Sequence, residues 1–591
     1  MSFSPKHQVV NSSDCITSLL ALSSKHLAQE QINYPLDSER AWWKESVIYQ
    51  IYPRSFKDSN GDGIGDLQGI IQQLDYLKDL GIDIIWLCPF YPSPNIDNGY
   101  DISDYTAISP KFGSMEDFDK LLFQMKQRDL RLIIDLVANH CSNLHPWFQE
   151  ARKSKDNPYR NYFLWHEGKN RQPPNDWRSF FGGTAWTYNQ ATGDYYLHLF
   201  TPEQPDFNWD YKPLRQEIYR IMRFWLDKGV DGFRMDVISF ISKRDISTSL
   251  RNYPFGIAEF YANGPKVHNY LQEMHDQVLR HYDVMTVGEG AGVKPEVAPL
   301  YVGSDRQELN MIFYFDHTGI DRDPKDFWQG VSWEVADLKI ILTRWDAALA
   351  DKGWSSIYLG NHDLPRIVSR FGNDAEYRVV SAKMLATLLL TLRGTPYLYQ
   401  GDEIGMTNYP FTSIDEFRDI ISINAYKAAK QRGESWQYFL KNQHQVARDH
   451  ARTPMQWDSS INAGFSIGQS WLKVNPNYQE INAEQAVLDP NSIFNYYKQL
   501  LQLRKQLPVL VYGDYTMLDI SHPYIYAYLR TDSQLKLLVL LNFLPEIITV
   551  DSSSVYLSDD DELLISNYQN LGEIGNELVF RPYEAKVYIQ S

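Results

Sequence analysis

A chain of 591 residues that is 43% hydrophobic, 22% charged and 14% aromatic can bury several large cores, which excludes a peptide, a single small module and wholesale disorder. Its 57 basic and 74 acidic residues leave a formal charge of −17, a field that repels nucleic acid and acidic membrane surfaces. Three cysteines, Cys15, Cys88 and Cys141, are too few and too scattered for a disulfide framework or a thiolate metal site. No apolar run approaches the ~18 residues of a membrane span, and the short stretch Cys15–Leu22 has no long signal-peptide core. The expectation is a soluble cytoplasmic protein, monomeric or a weak homodimer, with a small molecule as its partner.

Residues 1–40 are polar, carry one amphipathic stretch, Ile16–Leu27, and form an extension ahead of the aromatic cluster Ala41-Trp42-Trp43. Strand and helix patterns then alternate: a strand from Val47, helix Leu67–Leu80, a strand from Ile82, helix Ser114–Gln127 and a strand from Leu130. After a break the rhythm resumes with helix Pro213–Lys228, a strand from Gly232, helix Lys266–Tyr282 and strands from Val284 and Met311. Helix Trp333–Ala350, a strand from Ser355, helix Tyr377–Leu392 and a strand from Pro396 complete it. Eight strand runs interleaved with helices predict an α/β fold, a closed (β/α)8 TIM barrel over 41–141 and 210–511. An open doubly wound sheet is the second choice, disfavoured because no Gly-rich phosphate turn follows Val47–Tyr52.

The break, 142–209, is rich in Trp, Asn, Pro and Gly and holds short alternating pieces such as Tyr195–Leu199, the pattern of a small inserted domain after the third strand. A helical excursion spans about 406–460, and Ile493–Gln506 is the last barrel helix. Beyond residue 512, alternation over Tyr524–Leu529, Leu535–Leu541 and Ala585–Ile589 predicts a C-terminal antiparallel β-sandwich, 512–591.

Functional side chains of such a barrel come from the C-terminal ends of its strands. There the chain carries Tyr100-Asp101 after the second strand, Asp135 and Asn139-His140 at the third, and Arg234-Met235-Asp236-Val237 at the fourth. Glu289 ends the fifth and Asn361-His362-Asp363 the seventh. A single Asp in such a place is commonly a helix cap, but charge gathered at five strand ends is costly unless chemistry needs it. Neighbouring strands lie ~4.8 Å apart, so Asp236 and Glu289 can reach the ~5–5.5 Å carboxyl separation of a retaining glycosidase. One would attack the anomeric carbon while the other protonates the leaving oxygen. Arg234, on the same strand face as Asp236, would keep that nucleophile ionised, and a drier setting would raise the pKa of Glu289.

Four segments in order, Asp135–His140, Gly232–Val237, Glu289 after Val287-Gly288, and Asn361–Asp363, resemble the signatures of the alpha-amylase family of glycoside hydrolases, within it the oligo-1,6-glucosidase and alpha-glucosidase group. The likeness covers roughly residues 40–591. It implies Asp236 as nucleophile, Glu289 as general acid/base and Asp363 as a third carboxylate that distorts the sugar ring. It also implies a pocket for the non-reducing glucose lined by Tyr100, Asp101, His140, Arg234, His362 and Arg448. Gln204–Trp209 is similar to the marker of the oligosaccharide-cleaving group. In relatives, Val directly after the nucleophile accompanies isomaltose-type substrates, and Val237 stands there. Gly319-Ile320-Asp321-Arg322-Asp323 resembles the Arg-x-Asp-Arg-Asp loop of sucrose isomerases with Gly in place of the first Arg, which raises transglycosylation, a sucrose-active alpha-glucosidase or sucrose isomerisation as a rival. Some relatives are silent transporter subunits, but they typically lose the carboxylates that are kept here and gain a membrane span.

Asp58, Asn60, Asp62, the Ile64 carbonyl and Asp66 alternate in a Gly-rich turn and offer hard oxygen ligands to a structural Ca2+, or to Mg2+. The turn lacks the EF-hand's final Glu, with Gly69 in its place, and is similar to the calcium loop of related glucosidases. No organic cofactor is expected.

Overall fold

The computed structural model describes residues 40–253, 256–323, 328–558, 560–569 and 577–590. The expected extension, residues 1–39, lies outside them. Eight parallel strands form the central sheet: β1 (Ile48–Ile51), β2 (Ile84–Leu87), β3 (Arg131–Val137), and, after three strands of the insertion, β7 (Gly232–Asp236), β8 (Met285–Glu289), β9 (Met311–Phe313), β10 (Ser356–Ile357) and β11 (Thr395–Tyr399). Each begins within two residues of the expected position. Their order, β10-β11-β1-β2-β3-β7-β8-β9, leaves one junction between β9 and β10 outside the ladder. Side chains bridge it: Ser356 Oγ donates to the Ile312 carbonyl at 2.8 Å and Tyr358 Oη to the Tyr314 carbonyl at 2.6 Å. The sheet thus closes into the (β/α)8 barrel. Its strands read as continuous apolar runs because both faces are covered, and β1, β2, β7 and β8 are buried throughout.

Helix ends follow local chemistry. Ser114 and Asp117 form a reciprocal capping box before Met115–Lys126, and Gly229, at φ 103, ends Lys212–Lys228. The expected helix Leu67–Leu80 is broken at Gln73 into Leu67–Gln72 and Leu74–Leu80. The break lets both halves turn Leu67, Ile70, Leu74, Leu77 and Leu80 fully into the core. Lys266–Tyr282 likewise ends early, as Val267–Gln277 and a short turn.

The insertion after β3 builds a small antiparallel sheet from β4 (Trp165–His166), β5 (Trp186–Asn189) and β6 (Asp194–Leu197), in the order β4-β6-β5. After β11 the chain makes helices Ile420–Gln431, Trp436–Val446 and Asp449–Arg452. The C-terminal region holds a five-stranded antiparallel sheet and a separate strand pair. The larger sheet comprises β12 (Asp514–Met517), β13 (Ile525–Thr531), β14 (Lys536–Asn542), β16 (Glu562–Ser566) and β18 (Ala585–Ile589); β15 (Ile548–Asp551) pairs with β17 (Glu577–Phe580). Lys339 Nζ ties this region to the barrel by donating to the carbonyls of Asp519 and His522 at 3.0 and 2.6 Å. Among the described residues no helix is long and apolar enough to cross a membrane.

Candidate active site

Strand register gathers the first charged group. Arg234 and Asp236 are two residues apart on β7 and share a face. Asp135 of β3 is in register with Arg234, and β8 aligns Gly288 with Met235, which sets Glu289 beside Asp236. One guanidinium joins the three acids. Arg234 Nη1 donates to Asp135 Oδ1 and to Asp236 Oδ1, each at 2.6 Å, and Nη2 donates to Glu289 Oε2 at 2.6 Å. The Val237 N–H adds a bond to the same Glu289 oxygen at 3.0 Å. Val237 reaches it at φ 35, a left-handed conformation that is unusual and strained for a β-branched residue. Trp86 Nε1 fixes the other Asp135 oxygen at 2.9 Å.

This differs from the expectation that Arg234 serves Asp236 alone and leaves Glu289 in a drier place. Three adjacent strands put all three acids within reach of one cation. Burial pushes the Asp236 carboxyl well above the usual carboxylate range, Arg234 opposing and the Glu289 and Asp135 charges adding to it. Burial also lifts Asp135, to about 6, against the pull of Arg234. Burial and the neighbouring acids thus favour the protonated form of Asp236 and Asp135 more than in a free carboxyl.

A second charged group is centred on Asp363, whose side chain is 33% exposed. Arg448 Nη1 and Arg452 Nη2 both donate to its Oδ1, at 3.0 and 2.7 Å. Burial works against its charge, but His362, Arg448 and Arg452 together hold the carboxyl well below the usual range. Burial holds His362 itself to about 3, so this ring is neutral near pH 7 and the two arginines keep Asp363 ionised. Gln50 Nε2 donates to His362 Nδ1 at 2.7 Å, which leaves the ring hydrogen on Nε2, 2.8 Å from Tyr100 Oη. Tyr100 and His362 stack with centroids 5.4 Å apart.

Asp101 does not line this pocket. It is fully buried, and its oxygens accept from Ser93 Oγ at 2.8 Å and from the Ile96 N–H at 2.9 Å, clamping the loop that follows β2. The acid that this loop turns toward the pocket is Asp97, with Oδ1 3.6 Å from Arg448 Nη2 and Oδ2 accepting from Gln204 Nε2 at 3.0 Å. Gln204 Nε2 also lies 3.2 Å from His140 Nε2. Burial pushes Asp97 up to about 7, with Arg448 opposing and the Asp101 charge adding. Two further residues unmarked in the sequence complete the frame. Arg452 shares Asp363 with Arg448, and Lys243 Nζ pairs with Asp206 Oδ2 at 2.7 Å while donating to Asn139 Oδ1 at 2.6 Å. That pair, with Trp209 Nε1 donating to the Ala138 carbonyl at 2.7 Å, pins the Gln204–Trp209 segment to the end of β3.

In the Gly-rich loop, Asp58 Oδ1 accepts from the N–H groups of Asn60 and Gly61, while Oδ2 accepts from Gly63 N–H and Ser466 Oγ. Asn60 and Asp62 close similar turns two residues on, and Asp66 caps the next helix through Gly69 N–H. Among the described residues no group of three or more His, Cys, Asp and Glu side chains converges to hold a metal. These hydrogen bonds give the loop its successive turns.

Residues 50–513 match the model of the alpha-amylase catalytic domain. The chain belongs to the alpha-amylase family of glycoside hydrolases. It is 54% identical over 557 residues to the oligo-1,6-glucosidase of Parageobacillus thermoglucosidasius, covering 93% of this chain and 99% of that one. It is 53% identical over 556 residues to that of Bacillus cereus, with the same coverage. Among solved structures, the isomaltulose synthase of Klebsiella sp. LX3 superposes with a TM-score of 0.90 at 46% identity, covering 93% of this chain and all of that one. As an alpha-amylase family member this protein carries its charged pocket at the C-terminal mouth of the barrel, where such enzymes act.

The raised Asp97 carboxyl makes the fold sensitive to pH. Its folded pKa is raised, so the folded chain binds a proton that the unfolded chain releases between about pH 4 and 7. Its ionisation therefore destabilises the fold as pH rises through that window. Thermal denaturation of Asp97→Asn and the wild type should show the variant's Tm, relative to the wild type, about two degrees higher at pH 8 than at pH 5. An equal difference at both pH values would contradict the raised carboxyl.

Proposed function

We propose that the protein is a retaining, exo-acting alpha-glucosidase that removes the non-reducing terminal glucose from alpha-1,6-linked, isomaltose-type oligosaccharides. The observation that carries the reading is the Asp236 and Glu289 pair, set on adjacent strands and held by one guanidinium. On this reading Asp236 attacks the anomeric carbon directly, with no water between the pair, while Glu289 gives its proton to the leaving oxygen. The resulting glucosyl-enzyme is opened by water that Glu289 deprotonates, regenerating both groups. Asp363, kept ionised by Arg448 and Arg452, accepts hydrogen bonds from the sugar hydroxyls and favours the distorted ring. Tyr100, His140, Arg234, His362, Arg448 and Asp97 shape the glucose pocket.

Two observations support the linkage preference. The relatives named oligo-1,6-glucosidase share about half their residues with this chain. Val237, next to the nucleophile, is 6% exposed and belongs to an apolar cluster with Phe240 and Tyr261, a wall with no polar contact for a maltose-type leaving sugar. Sucrose isomerisation is a second reading, favoured by the likeness to isomaltulose synthase. Against it, Asp321 is held bidentately by Arg370 at 2.6 and 2.7 Å and Arg322 is 4% exposed, so these loop residues serve the fold. Purified enzyme incubated with isomaltose, panose, maltose, dextran and sucrose should cleave isomaltose at least about tenfold faster than maltose. It should yield glucose and fructose from sucrose, and Asp236→Asn should abolish turnover. Faster maltose cleavage would overturn the linkage preference; isomaltulose or trehalulose as the main sucrose product would favour the isomerase.

We further propose that Asp58, Asn60, Asp62, the Ile64 carbonyl and Asp66 hold a structural Ca2+, or Mg2+. Each carboxylate and amide oxygen can take more than one partner, so the turn bonds leave capacity for a cation. The loop is distant in sequence from the paired carboxylates and has no part in the chemistry. Chelation should lower the Tm while low-temperature activity is retained. An unchanged Tm would mean that hydrogen bonds alone hold the turn.

A further inference from the structure

We propose that Asp419, a fully buried acid outside the pocket, is a positioning residue that sets the orientation of Arg448 and through it the reactive face of Asp363. The inference rests on the reading that Asp363 and Arg448 form the glucose pocket. Asp419 stands at the start of helix Ile420–Gln431, in the excursion after β11. Its Oδ2 accepts from Arg448 Nε at 3.1 Å and its Oδ1 from Arg448 Nη2 at 2.6 Å. This planar two-point contact occupies one edge of the guanidinium and leaves Nη1 to meet Asp363 Oδ1 at 3.0 Å. Arg452 repeats the arrangement more loosely, with Nη1 3.5 Å from Asp419 Oδ1 and Nη2 2.7 Å from Asp363 Oδ1.

The geometry has a chemical consequence. An arginine facing a lone carboxylate prefers to grip both of its oxygens. Asp419 takes one edge of Arg448 and the His362 carbonyl takes Arg452 Nε at 3.1 Å, and both arginines meet Asp363 through the same oxygen, Oδ1. Asp363 Oδ2, 3.4 Å from His362 Nε2, is thereby kept for the cavity and for sugar hydroxyls. Asp419 has its own fixed seat: its N–H donates to Asp449 Oδ2 at 2.9 Å, and its Oδ1 accepts from the Ile421 N–H at 3.3 Å. The same helix reaches the inserted domain, where Asn424 Nδ2 donates to the Phe181 carbonyl at 3.4 Å. Removing the Asp419 charge would free Arg448 to swing onto both oxygens of Asp363, or onto Asp97, now 3.6 Å away.

A double-mutant cycle on kcat/KM with p-nitrophenyl alpha-glucoside separates this role from a merely structural one. Asp419→Asn should lower kcat/KM by about tenfold to a hundredfold, the size expected of a misplaced binding group. In an Arg448→Ala background the same substitution should change kcat/KM by less than about twofold, because the group it positions is gone. A merely structural role would instead give equal losses in both backgrounds, and that result overturns the proposal. If the Asn variant does not fold, Asp419→Glu, which keeps the charge but moves the oxygens, enters the same cycle with the same expectation. If neither folds, the acid is a folding element and the assignment fails. Wild-type turnover of the glucoside reports on the hydrolase reading by itself, so an inactive wild type and an additive cycle are distinct failures.

Discussion

The pocket depends on one buried guanidinium. Arg234 touches Asp135, Asp236 and Glu289 from three adjacent strands, each at 2.6 Å. Taking so many charges out of water is expensive, and the cost is tolerable only because each carboxylate has a fixed donor. The arrangement also leaves an excess of acid over base at the barrel mouth. That imbalance, with burial, raises the carboxyls of Asp236 and Asp135, and the strand register decides which side chains meet Arg234. Barrel closure is therefore part of the chemistry: a one-residue slip between β7 and β8 would turn Glu289 out of the pocket.

A second set of charges faces the first and is built differently. Asp363, Arg448, Arg452, Asp419 and Asp97 come from loops and short helices, tied to one another more than to the sheet. The insertion after β3 is attached through Lys243, Asp206 and Trp209, and the loop carrying Gln204 and the loop carrying Asp97 meet at His140. One wall is thus as rigid as the barrel, while the other is as rigid as its ion pairs. Differences in substrate preference among relatives of this fold have more room to arise on the second wall.

Much of this was legible in the residues. The eight strands announce themselves as short apolar runs because a parallel barrel buries both faces, and Ile493–Gln506 is helical over its full expected length. Strand-end acids stand out because burial makes charge conspicuous. What escaped the sequence depends on rotation and on tertiary partners. Asp97 and Asp101 are four residues apart in one loop, and no spacing rule says which turns inward; the structure buries Asp101 against Ser93 and Ile96 and gives Asp97 to the pocket. Nothing in the local pattern of Leu67–Leu80 demands a break at Gln73, which follows from fitting two apolar stripes to the barrel wall. Arg452 and Asp419 sit in the excursion after β11, where helical periodicity shows a helix but not what its first residue will grip.

We propose that Asp236 and Glu289, joined by one guanidinium, act directly on the glycosidic bond with no water between them. The most direct measurement is the anomeric form of the glucose first released, followed by proton NMR before mutarotation scrambles it. Release of the alpha anomer is the predicted result. Release of the beta anomer would mean a single displacement by water, and the paired attack at Asp236 and Glu289 would be wrong.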